Sequence, residues 1–163
     1  MEVSTLTIKC LSDGNKIIFA GNGGSAADSQ HIAAEFVSKL NFDRPALSSI
    51  ALTTDTSILT AIGNDYGFEN LFSRQINAIA NKGDIFVGIT TSGKSNNIIK
   101  AFSEAKKKGV ICVGLTGYND FLNKFCDYVI KVPSNSTPFI QESHITIGHI
   151  LCDIVETSLF SND

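Results

Sequence analysis

Residues 84–115 read DIFVGITTSGKSNNIIKAFSEAKKKGVICVGL, with an apolar run at each end and a helical pattern between them. The apolar residues of Asp84–Ile89 and Val110–Leu115 are continuous rather than alternating, as expected for strands that are covered on both faces. Between them, Ser95–Lys108 repeats apolar residues at intervals of three to four, which is typical of a helix with one buried face. Two parallel strands need a crossover of this kind, so the stretch predicts a strand–helix–strand unit of an α/β fold.

The rest of the chain continues this alternation of strands and helices. The other runs that predict strands are Lys16–Ala20, Leu47–Leu52 and Asp127–Val132, and the other helical patterns are Ser25–Leu40, Asn70–Ala80 and Pro138–Leu159. Strands that alternate with helices favour a doubly wound, five-stranded parallel sheet. No repeat or linker interrupts the pattern, so we expect a single domain over residues 1–163, with its ligand at the carboxyl ends of the strands.

The composition excludes several classes of protein. The 163 residues include 13 Lys+Arg and 16 Asp+Glu, so no global basic excess favours a nucleic acid partner. No apolar run approaches the roughly 20 residues of a membrane helix, and the first residues lack the basic and apolar regions of a secretory signal. The four cysteines, at none of the usual metal or redox spacings, are Cys10, Cys112, Cys126 and Cys152. We therefore expect buried, reduced thiols in a cytoplasmic protein without a membrane partner.

A glycine-rich segment, Gly21–Ser25, follows the first predicted strand and opens a helix. Its glycines permit a close approach to the backbone, and the free N–H groups of a helix start favour an anion or a sugar oxygen. The alternative is an ordinary tight turn with a serine cap. The dinucleotide fingerprint is only partly met, because Ala26 replaces its third glycine, so the segment does not indicate a nicotinamide cofactor.

The helix that follows carries His31 and Glu35, four residues apart. That spacing puts both side chains on one helix face, about 6 Å apart along the axis. An imidazole and a carboxylate there can hold a divalent metal or exchange protons with a substrate. The alternative is a solvated polar pair.

The segment Gly88–Ser95 reads GITTSGKS and matches the nucleotide-binding string G-x-x-x-x-G-K-[ST]. A nucleotide triphosphatase is nevertheless disfavoured. Gly88 lies inside an apolar run, and no later strand ends in an acidic residue that could hold magnesium. Hydroxyl groups at a helix start suit a phosphomonoester better, although a serine- and threonine-rich cap without a ligand is the alternative.

The last helical pattern predicts a start with Thr137 as cap and Pro138 at the first helical position. His144 shares a stripe with apolar residues, so we expect it to face the core. Gln141 and His149 lie about 12 Å apart along the helix axis and about 80° around it. They can share one ion only if their side chains lean together or come from different subunits, and His149 can equally be a packing residue.

Taken in order, these segments resemble the phosphoheptose isomerases of the SIS (sugar isomerase) family. The resemblance runs from about Gly14 to the end of the chain. Its motifs are Gly21–Ser25, Gln30-His31 with Glu35, Ile62–Phe68, Thr91–Gly93, and Ile140–Glu142 through His149. The family resemblance implies a flavodoxin-like, five-stranded parallel sheet and a homotetramer with active sites between subunits. It also implies conversion of sedoheptulose 7-phosphate to D-glycero-D-manno-heptose 7-phosphate for surface polysaccharide, such as lipopolysaccharide or capsule.

The resemblance also implies a site. Zinc would be held by His31, Glu35, Gln141 and His149. An aldose–ketose isomerisation needs a base and an acid, and our hypothesis assigns Glu35 as the base and His149 as the acid. The expected substrate-binding residues are Asn22, Gly23, Gly24, Ser25, Asp65, Thr90, Thr91, Ser92, Ser95 and Gln141, of which Thr90, Thr91, Ser92 and Ser95 hold the phosphate.

The chain departs from the family pattern at three places. Phe139 and Lys39 stand where the family usually has Arg, and the segment 1–15 is shorter than the usual N-terminal helical region. Two rivals on the same fold are another sugar-phosphate enzyme or sensor, and a replication-initiator-associating adaptor. The adaptor lacks the acid and the histidine that match Glu35 and His149, and this chain has both.

Overall fold

The computed structural model describes residues 2–161 and contains one five-stranded parallel sheet, so the predicted fold class is confirmed. The strands are β1 (Ile17–Gly21), β2 (Ser49–Ala51), β3 (Ile85–Ile89), β4 (Ile111–Thr116) and β5 (Tyr128–Lys131), and they lie in the order β2-β1-β3-β4-β5. Four strands begin and end within one residue of their predicted runs, whereas β2 begins two residues later and ends one residue earlier than its run.

Residues 2–161 also contain six α-helices, four of which match predicted patterns. They are α1 (Glu2–Ser12), α2 (Gly24–Val37), α3 (Thr56–Tyr66), α4 (Leu71–Ile79), α5 (Asn96–Lys107) and α6 (Thr137–Phe160). The sequence did not predict α1 and α3. The predicted start of α6 was wrong by one residue, because Ser136 is the cap and Thr137 is already helical. None of the helices within 2–161 has both the length and the apolarity needed to cross a membrane.

Helices cover both faces of the sheet, which explains the continuous apolar runs. Along β1, Ile17 and Phe19 pack towards α1, α2 and α6. Ile18 and Ala20 point to the other face and pack with residues of α3, α4 and α5. All four cysteines are free and buried, as the sequence analysis expected.

A buried ion pair joins the starts of β1 and β3. Lys16 Nζ lies 2.7 Å from Asp84 Oδ2, and the Asp84 side chain is 1% exposed. The same carboxylate accepts hydrogen bonds from the backbone N–H groups of Lys16 and Asn81. This ion pair holds β1 and β3 together at the amino-terminal ends of the strands, which is the side of the sheet opposite to their carboxyl ends.

The sheet order creates a switch point at the carboxyl ends of β1 and β3. The chain leaves β1 towards one side of the sheet to form β2, and it leaves β3 towards the other side to form β4. Loops that diverge in this way leave a crevice between them, which is where open α/β sheets bind ligands. The two loops in question are the glycine-rich segment after β1 and the hydroxyl-rich segment after β3.

Candidate active site

The loop after β1 turns sharply into α2. Gly23 is the cap of α2 and has a φ of 56°, a conformation that favours glycine. A side chain at Gly21 would overlap the backbone of Ser25, so the turn also requires glycine there. Ser25 is buried, Asn22 is half-buried, and Gly23 and Gly24 are exposed. The loop therefore leaves the start of α2 open to a ligand.

A reciprocal amide pair joins this loop to the start of α5. Asn22 Nδ2 donates to Asn97 Oδ1 over 2.9 Å, and Asn97 Nδ2 donates to Asn22 Oδ1 over 2.8 Å. Asn97 is 2% exposed, and its Oδ1 also accepts the backbone N–H of Ile98. The pair thus fixes the two ligand-facing loops relative to each other across the switch point.

Hydroxyl groups cluster in the loop after β3. Thr90 Oγ1 lies 2.9 Å from Ser95 Oγ, and Ser95 is the cap of α5. Ser92 Oγ accepts the backbone N–H of Lys94. The loop borders a polar cavity of about 260 Å³, whose lining includes Thr91, Ser92, Lys94, Tyr118, Asn119 and Ser134. Hydroxyls at a helix start suit a phosphate group.

The match to the nucleotide-binding string is incidental. Gly88, its first glycine, is a residue of β3 and is not in the loop, as the sequence analysis expected. A side chain there would overlap Phe102 and Ile98 of α5, so close packing between α5 and β3 requires this glycine.

Two histidines and a glutamate converge from α2 and α6. His31 Nε2 lies 2.8 Å from His149 Nε2 and 3.3 Å from Glu35 Oε1. One ligand atom from each of the three residues lies within 4.8 Å of the others. His31 is exposed and the other two are half-buried, so a ligand can reach them. Two imidazoles and a carboxylate are a donor set that suits zinc.

The two helices can bring these residues together because they pack closely. Gly148 of α6 faces Ile32 of α2, and a side chain at Gly148 would overlap that of Ile32. His144, one turn earlier on α6, is fully buried, and its Nε2 lies 3.4 Å from the carbonyl oxygen of Thr116. This burial matches the core-facing position expected from the sequence.

Gln141 and Asp65 lie outside this cluster. The Gln141 amide lies against Gly24 in the first turn of α2, seven residues or about 10 Å of helix from His31. Asp65 is exposed near the end of α3 and accepts a hydrogen bond from Asn64. Within residues 2–161, no hydrogen bond or ion pair joins Asp65 to another predicted site residue.

Sequence reasoning missed two polar residues of this region. Asn97 carried no signal, because its partner Asn22 is distant in the sequence. Asp28 lies three residues before His31, and this spacing could have placed it on the same helix face. Its Oδ2 is buried and has no hydrogen-bond partner among the described residues. Burial raises the pKa of the Asp28 carboxyl above its ordinary value, and the charge of His31 opposes this change.

Comparison with known proteins gives a consistent result. The family model of the SIS domain matches residues 1–117. The chain is 63% identical over 162 residues to phosphoheptose isomerase of Aneurinibacillus thermoaerophilus. The alignment covers 99% of this chain and 82% of the relative. The chain is 64% identical over 160 residues to phosphoheptose isomerase 2 of Campylobacter jejuni, covering 98% and 80%.

A solved structure agrees with these relatives. The phosphoheptose isomerase from Neisseria gonorrhoeae superposes with a TM-score of 0.89 and 42% identity, covering 96% of this chain and 84% of that one. At such identities over nearly the whole chain, the relationship extends beyond a shared fold. The chain belongs to the SIS-domain family and, within it, to the phosphoheptose isomerases.

Proposed function

We propose that this chain converts sedoheptulose 7-phosphate to D-glycero-D-manno-heptose 7-phosphate, a precursor for lipopolysaccharide or capsule. The class of reaction, an aldose–ketose isomerisation, follows from its membership of the phosphoheptose isomerases. The observation that carries the proposal is the convergence of His31 and Glu35 from α2 with His149 from α6.

The chemistry needs one base and one acid. Glu35 removes a proton from C1 of the ketose, while His149 donates a proton to the C2 carbonyl oxygen, which gives an enediol. Glu35 then returns its proton to C2, and His149 accepts the proton of the C1 hydroxyl, which leaves an aldehyde at C1. The 3.3 Å contact between Glu35 Oε1 and His31 supports this role, because it orients the carboxylate.

Substrate binding uses the two loops at the switch point. Thr90, Thr91, Ser92 and Ser95 hold the phosphate, and the first turn of α2, with Asn22, Gly23, Gly24 and Ser25, holds sugar hydroxyls. Gln141 and Asp65 complete the proposed set of polar contacts. About two turns of α2 separate the glycine loop from His31, so the sugar hydroxyls held at the start of α2 lie away from the reacting carbons.

Zinc is the proposed metal, held by His31, Glu35 and His149. Gln141, which lies against Gly24, can be a further ligand only if its side chain leans towards His149 or comes from a different subunit. Bound zinc would act as a Lewis acid that polarises the sugar oxygens. The donor set of two imidazoles and a carboxylate supports this proposal.

We also propose a homotetramer in the cytoplasm, with active sites that border subunit contacts. Two apolar concavities support the assembly. One, of about 620 Å³, lies on the sheet face beside α1 and α6, and the other, of about 560 Å³, lies between α3 and α4. The exposed side chain of Ile150 beside the first supports a contact there. The free thiols support a reducing compartment.

The test is turnover of sedoheptulose 7-phosphate by the purified chain in D₂O. We expect the aldose product with deuterium at C2, and we expect Glu35→Gln to lose at least about a thousandfold in kcat, since its amide cannot act as a base. Glu104→Gln is the matched control, because Glu104 lies on α5 and accepts hydrogen bonds from Asn77 and Lys107. No turnover with or without added zinc would contradict the proposal and favour an adaptor.

A further inference from the structure

We propose that Arg44 and Glu156 are positioning residues that fix the separation of Glu35 and His149. This inference rests on the proposed function, because it concerns the same base and acid. Neither Arg44 nor Glu156 belongs to the cluster itself. They act through the backbone of α2 and through α6.

Arg44 caps the end of α2 that carries Glu35. Its side chain, in the segment after α2, is only 2% exposed. Nη2 donates to the backbone oxygen of Glu35 over 2.8 Å, and Nη1 donates to that of Phe36 over 2.7 Å. The last carbonyl groups of a helix have no hydrogen-bond donors within the helix. This guanidinium therefore donates hydrogen bonds to carbonyl groups in the last turn of α2. The backbone position of Glu35 therefore depends on Arg44.

Glu156 holds Arg44 onto α6. It lies seven residues, or two helical turns, after His149, and its side chain is 1% exposed. Its Oε1 accepts from Arg44 Nε over 3.0 Å, and its two oxygens accept the backbone N–H groups of Leu40 and Asn41. Burial raises the pKa of the Glu156 carboxyl. These donors together lower the pKa by more than burial raises it, so it lies below its ordinary value. The carboxylate is therefore charged at neutral pH.

Two contacts thus hold α2 against α6 near the cluster. Ile32 against Gly148 forms the first contact, and the Arg44–Glu156 pair forms the second. A lysine at position 44 would keep the charge, but it could not donate in a planar fork to two carbonyl groups and a carboxylate. Loss of the fork frees the last turn of α2, and Glu35 moves relative to His149.

The experiment compares Arg44→Lys and Glu156→Gln with Asp84→Asn. Asp84 is a matched control, because it is also a buried carboxylate that accepts from a cation and backbone N–H groups, but it lies at the opposite edge of the sheet. The measurements are kcat and KM for sedoheptulose 7-phosphate, and zinc affinity by competition with a chromophoric chelator. All are made at a temperature at which circular dichroism shows a folded chain.

We expect both site variants to lose about tenfold or more in kcat and in zinc affinity, the effect typical of residues that orient metal ligands. KM should stay within about twofold, because the phosphate loop is not involved. Asp84→Asn should lower Tm and leave kcat and zinc affinity unchanged.

Other outcomes decide against the proposal. Wild-type kcat and zinc affinity in the site variants would overturn it, as would equal losses in Asp84→Asn. If Arg44→Lys does not fold, Glu156→Gln carries the test, since it keeps the size of the side chain and one acceptor oxygen. Failure of both to fold would assign the pair a structural role only. A wild-type chain without turnover would contradict the proposed function instead, and zinc affinity alone would then test the positioning.

Discussion

His31 Nε2 and His149 Nε2 lie 2.8 Å apart, although 118 positions separate the two residues in the sequence. A neutral imidazole has one donor and one acceptor nitrogen, so two Nε2 atoms at this distance share a proton or face a common cation. Glu35 beside them supplies a negative charge that favours either arrangement. The contact exists because α2 and α6 approach closely at Gly148.

Gly148→Ala should weaken this cluster. Within a helix, alanine is favoured over glycine by about 1 kcal/mol. The added methyl group, however, would overlap Ile32 of α2, and overpacking of this kind costs about 1–3 kcal/mol. We therefore expect a lower Tm and a loss of about tenfold in zinc affinity, measured by differential scanning fluorimetry and chelator competition.

Gly63→Ala is the control for this variant. Gly63 lies within α3, and the nearest atom to an added methyl group is Leu71 Cδ2 at 3.9 Å, an ordinary contact. This variant should raise Tm slightly and leave zinc affinity unchanged. If Gly148→Ala also raised Tm slightly and left zinc affinity unchanged, the result would contradict close packing of α2 against α6 at Gly148.

The sheet was predictable from the sequence because its strands are buried on both faces. Such strands leave unbroken apolar runs, and a parallel sheet needs helices between them. The helices α1 and α3 were missed for a different reason. Both are rich in β-branched residues, which have a weak intrinsic helix preference, and tertiary packing stabilises them instead. Asp55, whose side chain accepts the N–H of Ile58 at the start of α3, was the available signal.

The site was predictable only within single helices. Spacing placed His31 and Glu35 on one face of α2, but spacing could not show that His149 of α6 meets them. That meeting depends on how two distant helices pack. For the same reason the sequence did not indicate Asn97, whose partner Asn22 is in another loop. It also did not indicate Arg44 and Glu156, which form an ion pair although 112 positions separate them.

Asn97→Ala should impair substrate binding more than catalysis. The substitution removes both hydrogen bonds to Asn22, so the Asn22 amide is no longer held against the start of α5. Loss of a buried amide partner costs about 1–3 kcal/mol. We expect an increase of about tenfold in KM for the sugar phosphate, with a smaller change in kcat, from steady-state kinetics.

Asn77→Ala is the matched control, because Asn77 also donates an amide hydrogen bond between two elements, to Glu104 of α5. It is exposed and lies away from the loops at the switch point. The KM of the Asn77→Ala variant should equal that of the wild type. A wild-type KM in Asn97→Ala would show that the amide pair does not position Asn22 for the substrate.

His144 should make the fold sensitive to mild acid. Burial lowers the pKa of its imidazole below the ordinary value of 6.5, and the hydrogen bond with the Thr116 carbonyl opposes this only in part. Protons therefore bind His144 more tightly in the unfolded chain. The stability contributed by the neutral ring is complete above the ordinary pKa and is lost as the pH falls through the pKa of the folded state.

His144→Gln removes this titration and keeps a side chain that can donate to Thr116. Between pH 7.5 and 5.5, the free energy of unfolding should fall more in the wild type than in the variant, by about 1.4 kcal/mol for each unit of pKa depression within that range. Between pH 7.5 and 9 the difference between the two proteins should be constant, since the imidazole of His144 does not titrate there and glutamine has no titratable group. Urea unfolding at each pH measures both ranges, and parallel curves over the acid range would mean that His144 is already accessible to protons in the folded chain.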